Sequence, residues 1–223
     1  MTAVSTATAW RADPYTDALR TGRGPLFLRG PDGWLLPLEV ERWCAGPDSA
    51  DRTVLARCRG AVLDIGCGPG RLVAGLGALG HQALGIDVSP AAVARTTRSG
   101  GSAVCGSVFD SLPDEGRWST ALLVDGNIGI GGDPRALLGR AARIVAPKGV
   151  LIVESAPAGV DIELDERVQV RVDDGRGALG ASFPWARVGG AALLRHAGAT
   201  GWSAADEWTA DGRCFVALVR RQP

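Results

Sequence analysis

The stretch Ala61–Leu72, reading AVLDIGCGPGRL, constrains this chain more than any other. Ala61, Val62, Leu63 and Ile65 make a short apolar run of the kind a buried parallel strand requires. The run then breaks into glycines on alternate positions, Gly66, Gly68 and Gly70, and Pro69 stands where a fixed φ suits a first helical turn. Leu72, Val73, Leu76 and Leu79 follow at helical spacing, and Gly80 stops them. Strand, glycine turn and helix in this order open a βαβ unit of the kind that binds a nucleotide-like ligand.

Two details bear on which ligand. The dinucleotide fingerprint needs its third glycine at position 71, where this chain has Arg71. Asp64 sets a carboxylate beside the turn, which would repel a pyrophosphate and attract a ligand bearing an ammonium group. The segment LDIGCGPG resembles motif I of the class I S-adenosylmethionine (SAM)-dependent methyltransferases, and GIDVSP, ending at Pro90, resembles their motif II. The resemblance covers most of residues 55–155 motif by motif, and the C-terminal elements by order only. It implies an α/β, Rossmann-like methyltransferase fold: a mostly parallel central sheet with helices on both faces and an antiparallel C-terminal hairpin. It also implies SAM as cofactor and S-adenosylhomocysteine (SAH) as product.

The length of 223 residues suits one α/β domain. A formal net charge of zero argues against a nucleic-acid or anionic-membrane surface. The five cysteines are scattered without metal-ligand or disulfide spacing, so reduced thiols and no metal are expected. The N-terminal segment lacks the basic start and apolar core of a signal peptide, and no apolar run reaches the ~18 residues of a membrane span. The expectation is a single cytoplasmic domain over 1–223, monomer or homodimer, with a small-molecule partner and neither nucleic acid nor membrane.

Residues 1–13 have no period and are expected to be disordered. Residues 1–50 read as an N-terminal cap over the open edge of the main domain, with Tyr15 and Leu19 on one helix face and LLPLEVERWC resuming a helix. Strands are expected at 83–87, 120–125 and 150–154, with a short strand and its loop at 102–110. Ser89-Pro90 and Asp133-Pro134 supply N-caps and first-turn prolines. The period-two run ERVQVRV, followed by turn chemistry, predicts an inserted hairpin within 155–187, lying over the site. A helix at 189–198 and an antiparallel pair close the chain.

Open α/β sheets bind ligands beyond the carboxyl ends of their strands, so each strand end supplies candidates. Asp64, Gly66, Cys67, Gly68 and Gly70 would receive the methionine end, with free N–H groups at the helix start for its carboxylate. Asp87, with Val88 beside it, stands about twenty residues after the glycines, where an acid meets ribose hydroxyls. Either Ser107 or Asp110 could contact the adenine, with Val108 on the ring. Asp125, Gly126 and Asn127 would face the sulfonium. Methyl transfer needs mainly positioning, and a base only for a hydroxyl acceptor; the candidates in order are Asp125, Glu154 and His196. The acceptor pocket would draw on Tyr15, Arg23, Trp185 and Arg187. His81 reads as structural, His196 as a surface residue, and Trp43, Trp118 and Trp202 as core. The signature NPPY of amino-methyltransferases is absent. The resemblance thus implies methylation of a small molecule, in secondary metabolism. The rival readings are a SAM-binding protein without transfer activity and an NAD-dependent oxidoreductase.

Overall fold

The computed structural model describes residues 14–157, 159 and 162–221. The disorder expected for 1–13 falls outside them. The chain runs through α1 (Pro14–Thr21), β1 (Phe27–Arg29), β2 (Leu35–Pro37), α2 (Val40–Cys44) and α3 (Ser49–Leu55). The βαβ units follow as β3 (Val62–Ile65), α4 (Arg71–Ala78), β4 (Ala83–Asp87), α5 (Pro90–Arg98), β5 (Ala103–Cys105), β6 (Trp118–Leu123), α6 (Pro134–Ile144) and β7 (Val145–Ser155). Last come β8 (Asp165–Asp173), β9 (Phe183–Val188), α7 (Gly190–Ala199), β10 (Trp202–Ala210) and β11 (Arg213–Arg220).

The main sheet has the order β5-β4-β3-β6-β7-β11-β10. The strands from β5 to β7 are parallel, while β11 is antiparallel to β7 and β10 to β11. From β3 the chain winds outward to β5 and then restarts on the other side with β6, so the switch point lies between β3 and β6. β3 is buried at every residue, as a strand covered on both faces must be. Alternate strand residues face two separate cores. Leu63, Leu123 and Val153 pack with Leu137 and Leu138 of α6 and Leu193 of α7. Val62, Leu122 and Ile152 pack with Val54 of α3 and Leu76 of α4. The expected caps form: Ser89 Oγ accepts from the Ala92 N–H, and Asp133 accepts from the N–H groups of Arg135 and Ala136. Among the described residues no helix is long and apolar enough to cross a membrane.

The N-terminal segment, expected as a cap over an open edge, adds no strand to the main sheet among the described residues. It builds a second sheet, β2-β1-β8-β9, in which β1 pairs antiparallel with β8, Leu28 opposite Val172. Cap and inserted hairpin are therefore one structure. A third core, with Tyr15, Leu19, Leu28, Val170 and Phe183, lies beneath that sheet and includes Ala92 of α5. The helix expected over LLPLEVERWC is split accordingly. Leu35 pairs with Arg29 and Leu36 with Leu28, so β2 claims the first residues and helix begins only at Val40.

Candidate functional site

A cavity of about 330 Å³ opens beyond the carboxyl ends of β3, β4 and β6, at the switch point and under the small sheet. Its volume falls within the ~300–1,000 Å³ typical of small-molecule sites. One wall is made by residues 66–69, 86–88 and 106–109. The facing wall includes Leu28, Leu36, Leu38, Trp43, Ile130 and Trp185.

The glycine turn takes positive φ at Gly66 (74°), Gly68 (54°) and Gly70 (89°), which a side chain at these positions would resist. Its N–H groups are engaged inside the fold. Those of Gly66 and Cys67 donate to the Ile86 carbonyl at 2.8 and 2.9 Å, and that of Gly70 donates to the Cys67 carbonyl at 3.1 Å. The Gly68 N–H donates to Asp87 Oδ2 at 2.9 Å. The glycines themselves therefore offer close approach rather than donors, and the donors expected for a ligand carboxylate lie at the helix start that follows, from Arg71. Asn127 clamps it: Nδ2 donates to the carbonyls of Ile65 and Gly66 at 2.9 and 3.0 Å. Tyr15 Oη lies 3.5 Å from where a Cβ on Gly68 would stand, placing α1 directly over the turn. Gly70 faces the Thr96 side chain and does not line the cavity.

Asp64, expected beside a bound ammonium, is buried and does not line the cavity. Burial pushes its carboxyl up to about 7, with Arg71 opposing. Asp87 does stand in the wall, next to Val88. Its second oxygen accepts the Ser89 N–H at 2.8 Å. Burial pushes this carboxyl up to about 6 against those two backbone hydrogen bonds. Ser107 and Val108 line the cavity, whereas Asp110 turns back to accept the Ser107 N–H at 3.2 Å and lies outside it. Phe109, which the motif reading passed over, joins the lining half-exposed.

Asp125 and Glu154 both reach the cavity but are bound into a buried ionic network. The Asp125 carboxylate accepts from Arg71 Nη1 and Arg42 Nη2, each at 2.7 Å, and from Arg213 Nη2 at 3.1 Å. Glu154 accepts from Arg213 Nε and Nη2 at 2.8 and 2.7 Å, and its Oε2 also accepts the Asp125 N–H at 2.6 Å. Asp51 takes two donors of Arg71, Nε and Nη2, both at 2.6 Å, and Arg213 Nη1 at 2.9 Å. Burial works against the Asp125 charge, and the three arginines more than offset it, holding this carboxyl below its usual range. The base role expected for Asp125 and Glu154 does not suit this geometry, because their oxygens are already committed to guanidinium and backbone donors. Arg71, which in the sequence registers only as a missing glycine, bridges Asp51 and Asp125 within the network. Arg42 and Arg213 carry no local signal; they join it from a five-residue helix and from the far end of the chain.

The third base candidate is corrected as well. His196 is buried, not on the surface; Nε2 lies 2.8 Å from Asp165 Oδ1, Nδ1 accepts from Arg135 Nε at 3.1 Å, and the residue is outside the cavity. Arg23 is exposed and also outside it. Tyr15, Trp185 and Arg187 line the cavity as a group. Arg187 pairs with Glu166 at 2.9 Å and lies 4.9 Å over the Trp34 ring. Trp43, expected in the core, lines the cavity in a T-shaped contact with Tyr15, while Trp118 and Trp202 are core.

These carboxyls set a pH dependence for the ligand-free protein. Asp64 and Asp87 hold protons in the fold up to about 7 and 6, against 3.8 ordinarily. Between those values the folded state binds more protons than the unfolded one, so stability falls as pH rises. Thermal unfolding across this range should show that decline, and Asp64→Asn should flatten it. A ligand-free protein that gains stability over the same range would contradict the assignment.

Residues 62–149 match the family described as methyltransferase domain. Among curated protein sequences there is no match. The fold is similar to that of a SAM-dependent methyltransferase from Bacteroides fragilis in complex with SAH, at 19% identity, TM-score 0.76 and 93% coverage of each chain. It is similar to the CcbJ methyltransferase of Streptomyces caelestis at 15% identity and TM-score 0.64, over 96% of this chain and 98% of that one. A Burkholderia thailandensis 1,6-didemethyltoxoflavin-N1-methyltransferase, solved with 1,6-didemethyltoxoflavin and SAH, aligns at 18% identity and TM-score 0.56 over 79% and 80% of the two chains. Residues 62–149 match the methyltransferase-domain family, and the fold of the chain is similar to that of solved SAM-dependent methyltransferases.

Proposed function

We propose that the protein transfers the methyl group of SAM to a small-molecule acceptor held under the β2-β1-β8-β9 sheet. One observation carries this reading. A single cavity runs from the glycine turn, Asp87 and Ser107–Val108 to an apolar chamber walled by both the cap and the inserted hairpin. The donor end suits SAM in its chemistry. Asp87 offers carboxylate oxygens to ribose hydroxyls, Val108 a face to the adenine, and the glycine turn a backbone that a ligand can approach. SAM, when bound, supplies an already activated methyl group, so the chain has to position rather than activate. Holding an acceptor in line with that methyl can account for about 7–11 kcal/mol of barrier reduction. Trp185, Ile130 and Leu38 would exclude water from the acceptor and hold its face, while Arg187 stands at the polar side of the chamber. The small-molecule acceptor bound to the Burkholderia enzyme supports this division. The setting in this proposal is secondary metabolism in the cytoplasm, with the protein a monomer or homodimer and no nucleic-acid partner.

Calorimetric titration with SAH tests the donor half. Asp87→Ala should weaken SAH binding by about 1–3 kcal/mol, the cost of losing a charged hydrogen-bond partner. An affinity unchanged by this substitution would remove Asp87 from the ribose site.

A further inference from the structure

We propose that the acceptor presents an uncharged nitrogen as its nucleophile, so that the reaction is N-methylation of a small amine. The inference rests on the reading of the site as a SAM-dependent methyltransferase and adds the class of acceptor.

The first observation is that the carboxylates lining the cavity among the described residues are occupied. Asp87 accepts two backbone N–H groups, Asp125 three guanidiniums, and Glu154 two donors of Arg213 together with the Asp125 N–H. Glu39, at the rim, accepts Arg42 Nε at 2.6 Å. Three arginines hold the Asp125 charge and make it a poor base, the oxygens of Glu154 and Glu39 already accept guanidinium donors, and Asp87 is the carboxylate this reading gives to the ribose. The cavity's one described thiol, Cys67, has its pKa pushed up by burial and is no better placed to take a proton. A hydroxyl acceptor would have to lose its proton unaided, whereas an amine in its neutral form needs no base.

The second observation concerns sign. Arg42, Arg71 and Arg213 face five carboxylates: Glu39, Asp48, Asp51, Asp125 and Glu154. The network beside the cavity is therefore negative, which disfavours a phenolate, thiolate or enolate and favours a developing ammonium. The third is the chamber itself. Walls of Leu28, Leu38, Phe109, Ile130 and Trp185 penalise a charged amine in the ground state and select its neutral form.

The transfer balances without a protein base. The nitrogen lone pair forms the N–C bond as the C–S bond breaks, and that electron pair stays on sulfur, turning the sulfonium into the thioether of SAH. The positive charge passes to nitrogen, and the product ammonium gives up its own proton to water after release.

The test uses the full chain, tritiated-methyl SAM and four probes: benzylamine, aniline, benzyl alcohol and phenol. The amines should be labelled at least about a hundredfold faster than the hydroxyl probes, the lower end of what a missing general base costs. The midpoint of the pH–rate profile should move between benzylamine and aniline, following the basicity of the probe. Labelling of phenol or benzyl alcohol at rates matching the amines would overturn the proposal. A midpoint that stays put when the amine is changed would reveal a base on the protein and overturn it too. No label in either amine, while SAH binds by calorimetry, overturns the nitrogen assignment and leaves the donor reading standing. Failure to bind SAH at all removes the donor reading itself.

Discussion

Replacing Arg71 by alanine is expected to lower the stability of the fold by about 3–5 kcal/mol, the cost of stripping a buried charge of its partner. Arg71 is almost fully buried and serves two carboxylates at once. Its guanidinium gives Nε and Nη2 to Asp51 and Nη1 to Asp125. The Asp51 side chain is fully buried, so the substitution would leave that carboxylate with Arg213 and its own capping contacts alone. Arg71→Lys should recover little, because a single ammonium cannot present the planar fork that engages both acids. The double variant Arg71→Met, Asp51→Asn should recover part of the loss, since it removes charge from both sides. Urea unfolding reads all three, and a loss below about 1 kcal/mol for Arg71→Ala would mean that the network is not what holds α3, α4 and the Asp125 loop together. The network also predicts acid lability. Asp51 and Asp125 are held below the ordinary 3.8, so their contribution is present above that value and drains away as pH falls beneath it.

Gly66→Ala is expected to cost about 1–3 kcal/mol of stability from backbone strain. It should also weaken SAH binding. Gly66 sits at φ 74°, and an added Cβ would come within 2.7 Å of Asn127 Nδ2. That amide cannot retreat without giving up its bonds to the carbonyls of Ile65 and Gly66, which anchor the loop after β6 to the loop after β3. The two variants separate backbone from side chain. Asn127→Ala in the Gly66→Ala background should relieve the clash yet leave the positive φ, so stability should return only in part. Full recovery would assign the whole effect to the clash. SAH calorimetry on the same proteins shows whether the clamp shapes the donor site or only the fold.

Much of this architecture is legible in the residues themselves. The alternate glycines at 66, 68 and 70, the acid at Asp87 and the Ser-Pro and Asp-Pro helix starts are local signals whose physics acts within a few residues. The βαβ order, the two-sided burial of β3 and the placing of Asp87, Ser107 and Val108 in one wall follow from them. The residues whose surroundings do not show in the sequence share one reason. Asp125, Glu154 and His196 look available in sequence because nothing near them is charged oppositely. Their partners Arg42, Arg71, Arg213, Arg135 and Asp165 come mostly from other elements. Arg23, in a glycine-rich stretch, has the look of a site residue and ends outside the cavity.

The sequence by itself determined the donor side of this protein, because glycine φ preferences, strand burial and helix capping are short-range effects written into neighbouring residues. The tertiary structure decided the acceptor side. Only folding joins the cap at Leu28 to the inserted hairpin at Val172 as one sheet, and only folding gathers three distant arginines around Asp125 in the cavity wall. Strand pairing and ion pairing between remote segments depend on which surfaces meet, and no local pattern of residues encodes that meeting.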